Sequence, residues 1–155
     1  MGELIKHLKP NFFIPGAAKS GTTTLHDILN THHEISMSSV KEPGYWKNKN
    51  FNEFGRTEIL NYQNLFDNTK KFKGESSTAY MYFDRFLNNV TNNYEIPPKF
   101  IFILRNPIDR YISHVNWMKG LGLEKNKLEE IINVRAEFNF KEYYDYPKYY
   151  YEFGL

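Results

Sequence analysis

A glycine-bounded loop at residues 16–24 (GAAKSGTTT) is the first stretch of the sequence whose residue types suit chemistry. It follows a short apolar run and precedes a segment with Leu and Ile at helical spacing, so backbone N–H groups and the dipole of a helix converge there. Phosphate groups bind at such points. The candidate phosphate-binding residues are Lys19, Ser20, Gly21, Thr22, Thr23 and Thr24.

The lysine of this loop is displaced from its position in the common magnesium–nucleotide motif. That motif has lysine directly after its second glycine, followed by a Ser or Thr that holds magnesium. Here Lys19 precedes Gly21, and Thr22 follows it. The loop therefore predicts a phosphate site that does not reproduce the magnesium motif. The alternative is a turn of small residues that only joins a strand to a helix.

A second candidate anion site, residues 105–113, follows the apolar run 100–104. An arginine at the end of a strand can hold a phosphate through two parallel hydrogen bonds, which makes Arg105 a candidate. Ser113 comes about two helical turns later and would add a hydroxyl donor on the same face. The alternative is that Arg105 and Asp109 form a capping pair at the start of a helix.

Strand-like and helix-like segments alternate along the chain. Strands are predicted at residues 11–15, 34–37, 71–76 and 100–104, and helices at residues 22–30, 80–89 and 107–119. The unbroken apolar run 100–104 indicates a strand buried on both faces. Residues 47–52 and 88–93 are rich in asparagine and are predicted to be surface loops. The alternation predicts an α/β domain with a mainly parallel sheet, whose ligands bind at the carboxyl ends of the strands.

Composition narrows the remaining possibilities. The chain has 155 residues, enough for one domain, and 41% apolar and 17% aromatic residues exclude a disordered chain. A net charge of +2 does not suit a bulk polyanion such as nucleic acid. No apolar run approaches the roughly 20 residues that span a bilayer, so we expect a cytoplasmic protein without a membrane segment.

The sequence predicts neither a metal site nor a site that depends on cysteine. Without cysteine there is no disulfide, thiolate metal site or cysteine nucleophile. His32 and His33 are adjacent and would point apart in a strand or a helix, so no metal site is predicted.

Four blocks, in order, resemble the motifs of the sulfotransferase family, and in particular of its heparan-sulfate-type, carbohydrate-directed branch. Residues 16–24 resemble the loop that holds a 5′-phosphosulfate, and residues 105–113 resemble the 3′-phosphate motif. Residues 41–46 (KEPGYW) resemble the stretch in which a glutamate serves as base, and residues 75–80 (ESSTAY) are similar to a further block. The resemblance spans residues 12–155. It implies a P-loop NTPase-like, three-layer α/β fold with a mainly parallel central sheet.

The resemblance also implies an activity and roles for residues. The donor would be 3′-phosphoadenosine 5′-phosphosulfate (PAPS), and the acceptor a hydroxyl, on a carbohydrate in this branch, with no metal required. Lys19 would neutralise the departing phosphate and Glu42 would remove the proton of the acceptor. Arg105 and Ser113 would bind the 3′-phosphate. The alternative for Glu42 is a solvated carboxylate paired with Lys41.

Other side chains receive structural roles or none. His26 and His114 stand outside the block that carries a histidine base in the cytosolic branch, so neither is assigned. Tyr45 and Trp46 are expected to pack in the core, and the alternative is that they stack on a sugar ring. Residues 76–78 either line the acceptor pocket or cap a helix.

Residues 1–155 are expected to form a single domain that lacks the C-terminal portion of the family. Two other functions stay open on the sequence alone. A nucleotide-dependent kinase would use the same loop but needs magnesium ligands, and a non-catalytic module would bind the nucleotide without turnover. Measured sulfate transfer distinguishes an enzyme from such a module.

Overall fold

A four-stranded sheet underlies the first of two units of the chain. The computed structural model describes residues 9–131, and the chain divides into the two units between Leu104 and Arg105. The strands are β1 (Phe12–Gly16), β2 (Ile35–Met37), β3 (Phe72–Ser76) and β4 (Lys99–Phe102), all parallel, in the spatial order β2-β3-β1-β4. Their carboxyl ends therefore lie along one edge of the sheet. The predicted α/β class with a mainly parallel sheet is confirmed.

Helices alternate with these strands. The first unit has α1 (Thr22–Asn30), α2 (Arg56–Gln63) and α3 (Asp84–Asn93), with 3-10 turns at Tyr45–Lys47, Phe51–Glu53 and Thr78–Tyr82; the second unit has α4 (Pro107–Gly120). In the part of the chain that the structure describes, no helix is both long and apolar enough to cross a membrane.

Four features of the structure differ from the sequence predictions. The helix expected at residues 80–89 is divided into a 3-10 turn and α3, and residues 88–93, expected as a loop, belong to α3. The sequence analysis did not predict α2, although its buried residues Ile59 and Tyr62 have helical spacing. Phe51 is buried, so the predicted surface loop 47–52 is anchored in the core.

Side chains alternate along β1 and divide the first unit into layers. Phe12 and Ile14 pack with Met37 of β2 and with Leu25 and Leu29 of α1 on one face. Phe13 points to the other face, where an aromatic cluster brings together Trp46, Phe51, Tyr62, Phe66, Tyr80 and Phe86. Helix, sheet and aromatic layer thus form the three layers expected of this fold.

The aromatic cluster is organised around Phe13, which is fully buried. Its ring meets those of Trp46, Tyr80 and Phe86 edge-on, with centroids 5.8, 6.0 and 5.2 Å away. Edge-to-face pairs of this kind add stability beyond the area they bury. The expectation that Trp46 packs in the core is confirmed, because only 1% of its surface is exposed.

The burial predicted for the strand at residues 100–104 is wrong. β4 is a four-residue strand at the edge of the sheet, paired only with β1 among the described strands. Phe102 is 54% exposed, and Phe100 and Ile101 are each 37% exposed. An edge position leaves β4 only partly covered, and a run of apolar residues does not reveal which place a strand takes in the sheet.

Candidate active site

The loop after β1 is fixed at its base by backbone hydrogen bonds to the neighbouring strand. Ala17 N–H donates to the carbonyl of Ile103 at 2.9 Å, and Ile103 N–H donates to the carbonyl of Gly16 at 3.0 Å. Beyond this anchor the chain turns through two left-handed positions, Lys19 with φ 62° and Gly21 with φ 96°. Gly21 is the residue that precedes α1 and tolerates this conformation without steric cost.

The same loop presents unpaired donors at the start of α1. The first backbone hydrogen bond of α1 runs from Leu25 N–H to Gly21, so the N–H groups at positions 21–24 have no intrahelical partner. The hydroxyl of Ser20 is buried and makes no hydrogen bond with any described residue. A buried hydroxyl without a partner costs free energy unless a ligand accepts or donates to it. The loop is thus equipped for an anion with several oxygens.

Glu42 lies after β2 and is held at the carboxyl end of β3. Its backbone N–H donates to the carbonyl of Ser76 at 2.9 Å. Its carboxylate accepts the N–H of Thr78 on Oε2 at 2.7 Å and the hydroxyl of Thr78 on Oε1 at 3.1 Å. Glu42 has φ 61°, a left-handed conformation that a residue with a side chain keeps only when its surroundings hold it. The 41–46 and 75–80 blocks therefore meet through these bonds.

Lys41 completes the surroundings of this carboxylate. Its ammonium lies 2.7 Å from Oε1 of Glu42, so the pair foreseen as an alternative exists. Oε1 then accepts two hydrogen bonds and Oε2 accepts one, whereas a carboxylate oxygen has about two acceptor sites. Glu42 keeps a side-chain exposure of 39%. One acceptor site on Oε2 is left for a hydroxyl arriving from solvent.

His26 connects α1 to the end of β3. Its Nδ1 lies 2.9 Å from the hydroxyl of Ser76, and the ring is buried. Burial lowers the pKa of His26 below 6.5, and the charge of Lys41 lowers it further. His26 is therefore mostly neutral at pH 7 and links two elements through Ser76. The sequence analysis left His26 without a role, because a single helical histidine carries no signal of its distant partner.

Glu75, on β3, is the most deeply buried carboxyl among the described residues. It is 0% exposed and accepts hydrogen bonds from the hydroxyls of Tyr62 and Ser77, the latter at 2.8 Å. Burial raises the pKa of Glu75 to about 7, while hydrogen bonds from Tyr62, Tyr80 and Ser77 act in the opposite direction. The sequence analysis gave Glu75 no role, because Tyr62 belongs to the helix that it did not predict.

We expect Glu75 to make the folded state less stable as the pH rises. An unfolded glutamate titrates near 4.5, whereas Glu75 in the fold keeps its proton up to about 7. Between these values the folded state binds more protons, so the free energy of unfolding falls by up to about 3 kcal/mol as the pH rises. Urea unfolding at several pH values should show this slope, and Glu75→Gln should remove it while the exposed-site control Glu53→Gln keeps it. Equal slopes in all three proteins would contradict this assignment.

Arg105 and Ser113 belong to the second unit. Arg105 is exposed and precedes α4, and Ser113 lies within α4 and is half-buried. The side chain of Asn106 caps α4 by accepting the N–H groups of Ile108 at 2.9 Å and Asp109 at 3.4 Å. Because α4 begins at Pro107, Arg105 lies outside it, and helical spacing does not relate the arginine to Ser113. Their shared role at one phosphate stays a prediction.

The adjacent histidines do not point apart. The rings of His32 and His33 stack with centroids 4.6 Å apart, because both lie in an exposed turn rather than in a strand or helix. Within residues 9–131 the structure has no group of three or more His, Cys, Asp or Glu side chains suited to a metal ion.

Sequence comparisons relate the chain to known enzymes. Human carbohydrate sulfotransferase 15 is 38% identical over 65 residues, which is 37% of this chain and 12% of that protein. The membrane-associated sulfotransferase kil1 of Dictyostelium discoideum is 29% identical over 124 residues, 71% of this chain and 24% of that protein. The chain thus spans about a quarter or less of the length of these relatives.

The fold and the family agree with these similarities. The crystal structure of a sulfotransferase from Alicyclobacillus acidocaldarius superimposes with a TM-score of 0.67 at 23% identity, over 88% of this chain and 62% of that one. The sulfotransferase domain matches residues 9–153, nearly the whole sequence. With the loop after β1 and the Glu42–Thr78 arrangement at one edge of a parallel sheet, the chain belongs to the sulfotransferase family.

Proposed function

We propose that this chain transfers a sulfuryl group from PAPS to a hydroxyl of a carbohydrate. The observation that carries the proposal is the pairing of Glu42 with Thr78 at the sheet edge where the phosphate loop begins. A carboxylate of this kind suits removal of a hydroxyl proton, and the loop suits the phosphate that departs. The name of carbohydrate sulfotransferase 15 supports a carbohydrate as acceptor.

The loop residues fit the phosphosulfate end of the donor. The N–H groups of residues 21–24 point out of the start of α1, and the buried hydroxyl of Ser20 lacks a partner among described residues. The hydroxyls of Thr22, Thr23 and Thr24 add donors along the first turn. Lys19 supplies the positive charge that the departing phosphate needs, which is the task of a metal ion in many phosphoryl-transfer sites. We therefore propose no metal requirement.

Glu42 acts on the acceptor. The hydroxyl proton passes to the open acceptor site on Oε2, while Thr78 and Lys41 keep the carboxylate oriented. As the acceptor oxygen forms its bond to sulfur, the bond between sulfur and the phosphate oxygen breaks. The electron pair leaves with adenosine 3′,5′-bisphosphate, whose new charge Lys19 neutralises. The products are a sulfate ester and the bisphosphate.

Donor binding and transfer test the proposal directly. Adenosine 3′,5′-bisphosphate should raise the melting temperature of the chain, because a ligand that binds only the folded state stabilises it. Radiolabelled PAPS should transfer sulfate to a panel of glycan acceptors. Stabilisation by ATP with magnesium but not by the bisphosphate, together with no transfer to any acceptor, would contradict the proposal and favour the kinase alternative.

Arg105→Ala should erase the preference for adenosine 3′,5′-bisphosphate over AMP, because Arg105 is assigned to the phosphate that distinguishes them. Losing a hydrogen bond to a charged group costs about 1.5–3 kcal/mol, equivalent to about 10- to 150-fold in affinity. Calorimetric titration of both nucleotides measures the ratio. Arg56→Ala, at an exposed position of α2, is the matched control. An unchanged ratio in Arg105→Ala would assign the 3′-phosphate to other residues.

Two expectations from the sequence remain predictions. Fractionation of cells that express a tagged chain would test the cytoplasmic location. Limited proteolysis of residues 1–155 would test whether they form a single domain.

A further inference from the structure

The carboxyl of Glu75 has no exposed surface and no part in the chemistry proposed above. Burying an ionisable group is costly, so such a group is kept where its hydrogen bonds organise other residues. Glu75 occupies the position on β3 opposite Phe13 of β1, at the heart of the aromatic cluster. The hydrogen-bond partners of Glu75 therefore indicate its role.

Three hydroxyls surround this carboxyl. Tyr62 of α2 donates to Oε2, Ser77 donates to Oε1 at 2.8 Å, and the hydroxyl of Tyr80 is a third hydrogen-bond partner. A hydroxyl has one proton to donate. Since these protons point at Glu75, the lone pairs of the three oxygens are left to face other donors.

Those other donors all belong to one short segment, residues 44–46. Ser77 accepts the N–H of Gly44 at 3.0 Å, Tyr80 accepts the backbone N–H of Trp46 at 3.0 Å, and Tyr62 accepts the indole N–H of Trp46 at 2.8 Å. Each of the three hydroxyls that bind Glu75 therefore also accepts a hydrogen bond from the segment that follows Glu42.

The two residues on either side of Ser77 contact Glu42 itself. Ser76 accepts its backbone N–H, and Thr78 binds its carboxylate. Glu42 and Gly44 both have left-handed φ values, 61° and 62°, so this stretch needs external bonds to keep its shape. We propose that Glu75 is a positioning residue that, through Tyr62, Ser77 and Tyr80, holds the 42–46 segment so that Glu42 meets the acceptor hydroxyl.

The role in catalysis rests on the proposed function, whereas the holding of the segment can be measured without any activity. The variants are compared at about pH 8, above the pKa of about 7, where the carboxyl of Glu75 is ionised and only accepts hydrogen bonds. There, Glu75→Gln keeps the shape of the side chain but replaces one acceptor oxygen by an N–H donor. The hydroxyl that faces this new N–H must accept a hydrogen bond from it instead of donating one. Its proton then turns toward the N–H donor of residues 44–46, and that hydrogen bond is lost. Tyr62→Phe removes one path only, and it keeps the proposal testable if Glu75→Gln does not fold. Tyr94→Phe is the control, because Tyr94 lies in the same cluster but donates to the carbonyl of Pro10.

Amide hydrogen exchange of the full chain, followed by mass spectrometry, measures the holding. In Glu75→Gln and Tyr62→Phe, peptides that cover residues 42–48 should exchange at least about tenfold faster, while peptides from β1 and α1 keep their rates. Tyr94→Phe should leave residues 42–48 unchanged. Unchanged exchange of that segment in both test variants, or acceleration throughout the first unit, would overturn the positioning role.

Steady-state sulfate transfer measures the catalytic consequence. The kcat of Glu75→Gln should fall by about 10- to 100-fold, because small displacements of a reacting group have effects of this size, while the KM for PAPS stays the same. Equal losses in kcat and donor affinity would indicate general damage and contradict the role. If the unmodified chain transfers no sulfate although its exchange pattern is as expected, the proposed function fails and the holding of the segment stands.

Discussion

Glu42→Gln is expected to lower the turnover of sulfate transfer by about 10²–10⁴-fold, the usual range for loss of a general base. The amide has the same shape and can still accept the hydrogen bonds of Thr78 through its oxygen. It cannot take up the proton of the acceptor. Binding of adenosine 3′,5′-bisphosphate should therefore stay within about twofold of the unmodified chain, because the role proposed for Glu42 is at the acceptor and not at the donor.

The measurement compares initial rates with labelled PAPS and nucleotide affinities by calorimetry. Glu53→Gln is the matched control, since Glu53 is an exposed glutamate in the 3-10 turn Phe51–Glu53 and has no proposed part in the site. Its turnover should be normal. Near-normal transfer by Glu42→Gln would remove Glu42 from the mechanism and favour its alternative as a carboxylate paired with Lys41.

Lys19→Met should lower kcat by about 10²–10³-fold, which is the loss seen when one donor to a developing negative charge is removed. Methionine preserves much of the length and apolar stem of lysine, so the loop keeps its packing while it loses the charge. The backbone N–H groups of residues 21–24 remain, and the donor should still bind, with affinity reduced less than turnover. Position 19 has a left-handed φ, and this conformation costs lysine and methionine about the same free energy because both have unbranched side chains.

Single-turnover rates at saturating PAPS separate the chemical step from donor binding. Lys49→Met, an exposed lysine outside the loop, controls for loss of a positive charge and should keep full activity. If Lys19→Met lost donor affinity and kept its single-turnover rate, Lys19 would be a binding residue, and another group would stabilise the departing phosphate.

Much of the candidate site could be predicted from the sequence because its parts are local. The strand β1, the loop with Lys19 and Gly21, and helix α1 follow one another within residues 12–30, so apolar spacing and glycine positions describe them together. The proximity of Glu42 to the 75–80 block could only be inferred through family resemblance, since nothing in either block alone encodes the other. The hydrogen bonds from Thr78 to Glu42 supply that link.

Sequence by itself determined the α/β class, the glycine-bounded loop between β1 and α1, and the family, because each depends on periodicity or on residues close together in the chain. Only the tertiary structure decided that β4 lies at the edge among the described strands, since strand order follows from packing between distant segments. It alone revealed the hydrogen bonds that connect Glu75 to Tyr62, 13 positions away, and Tyr62 in turn to Trp46, 16 positions away. Burial and hydrogen-bond pairing are properties of the assembled layers. The type of a residue does not indicate which distant neighbours will exclude water from it.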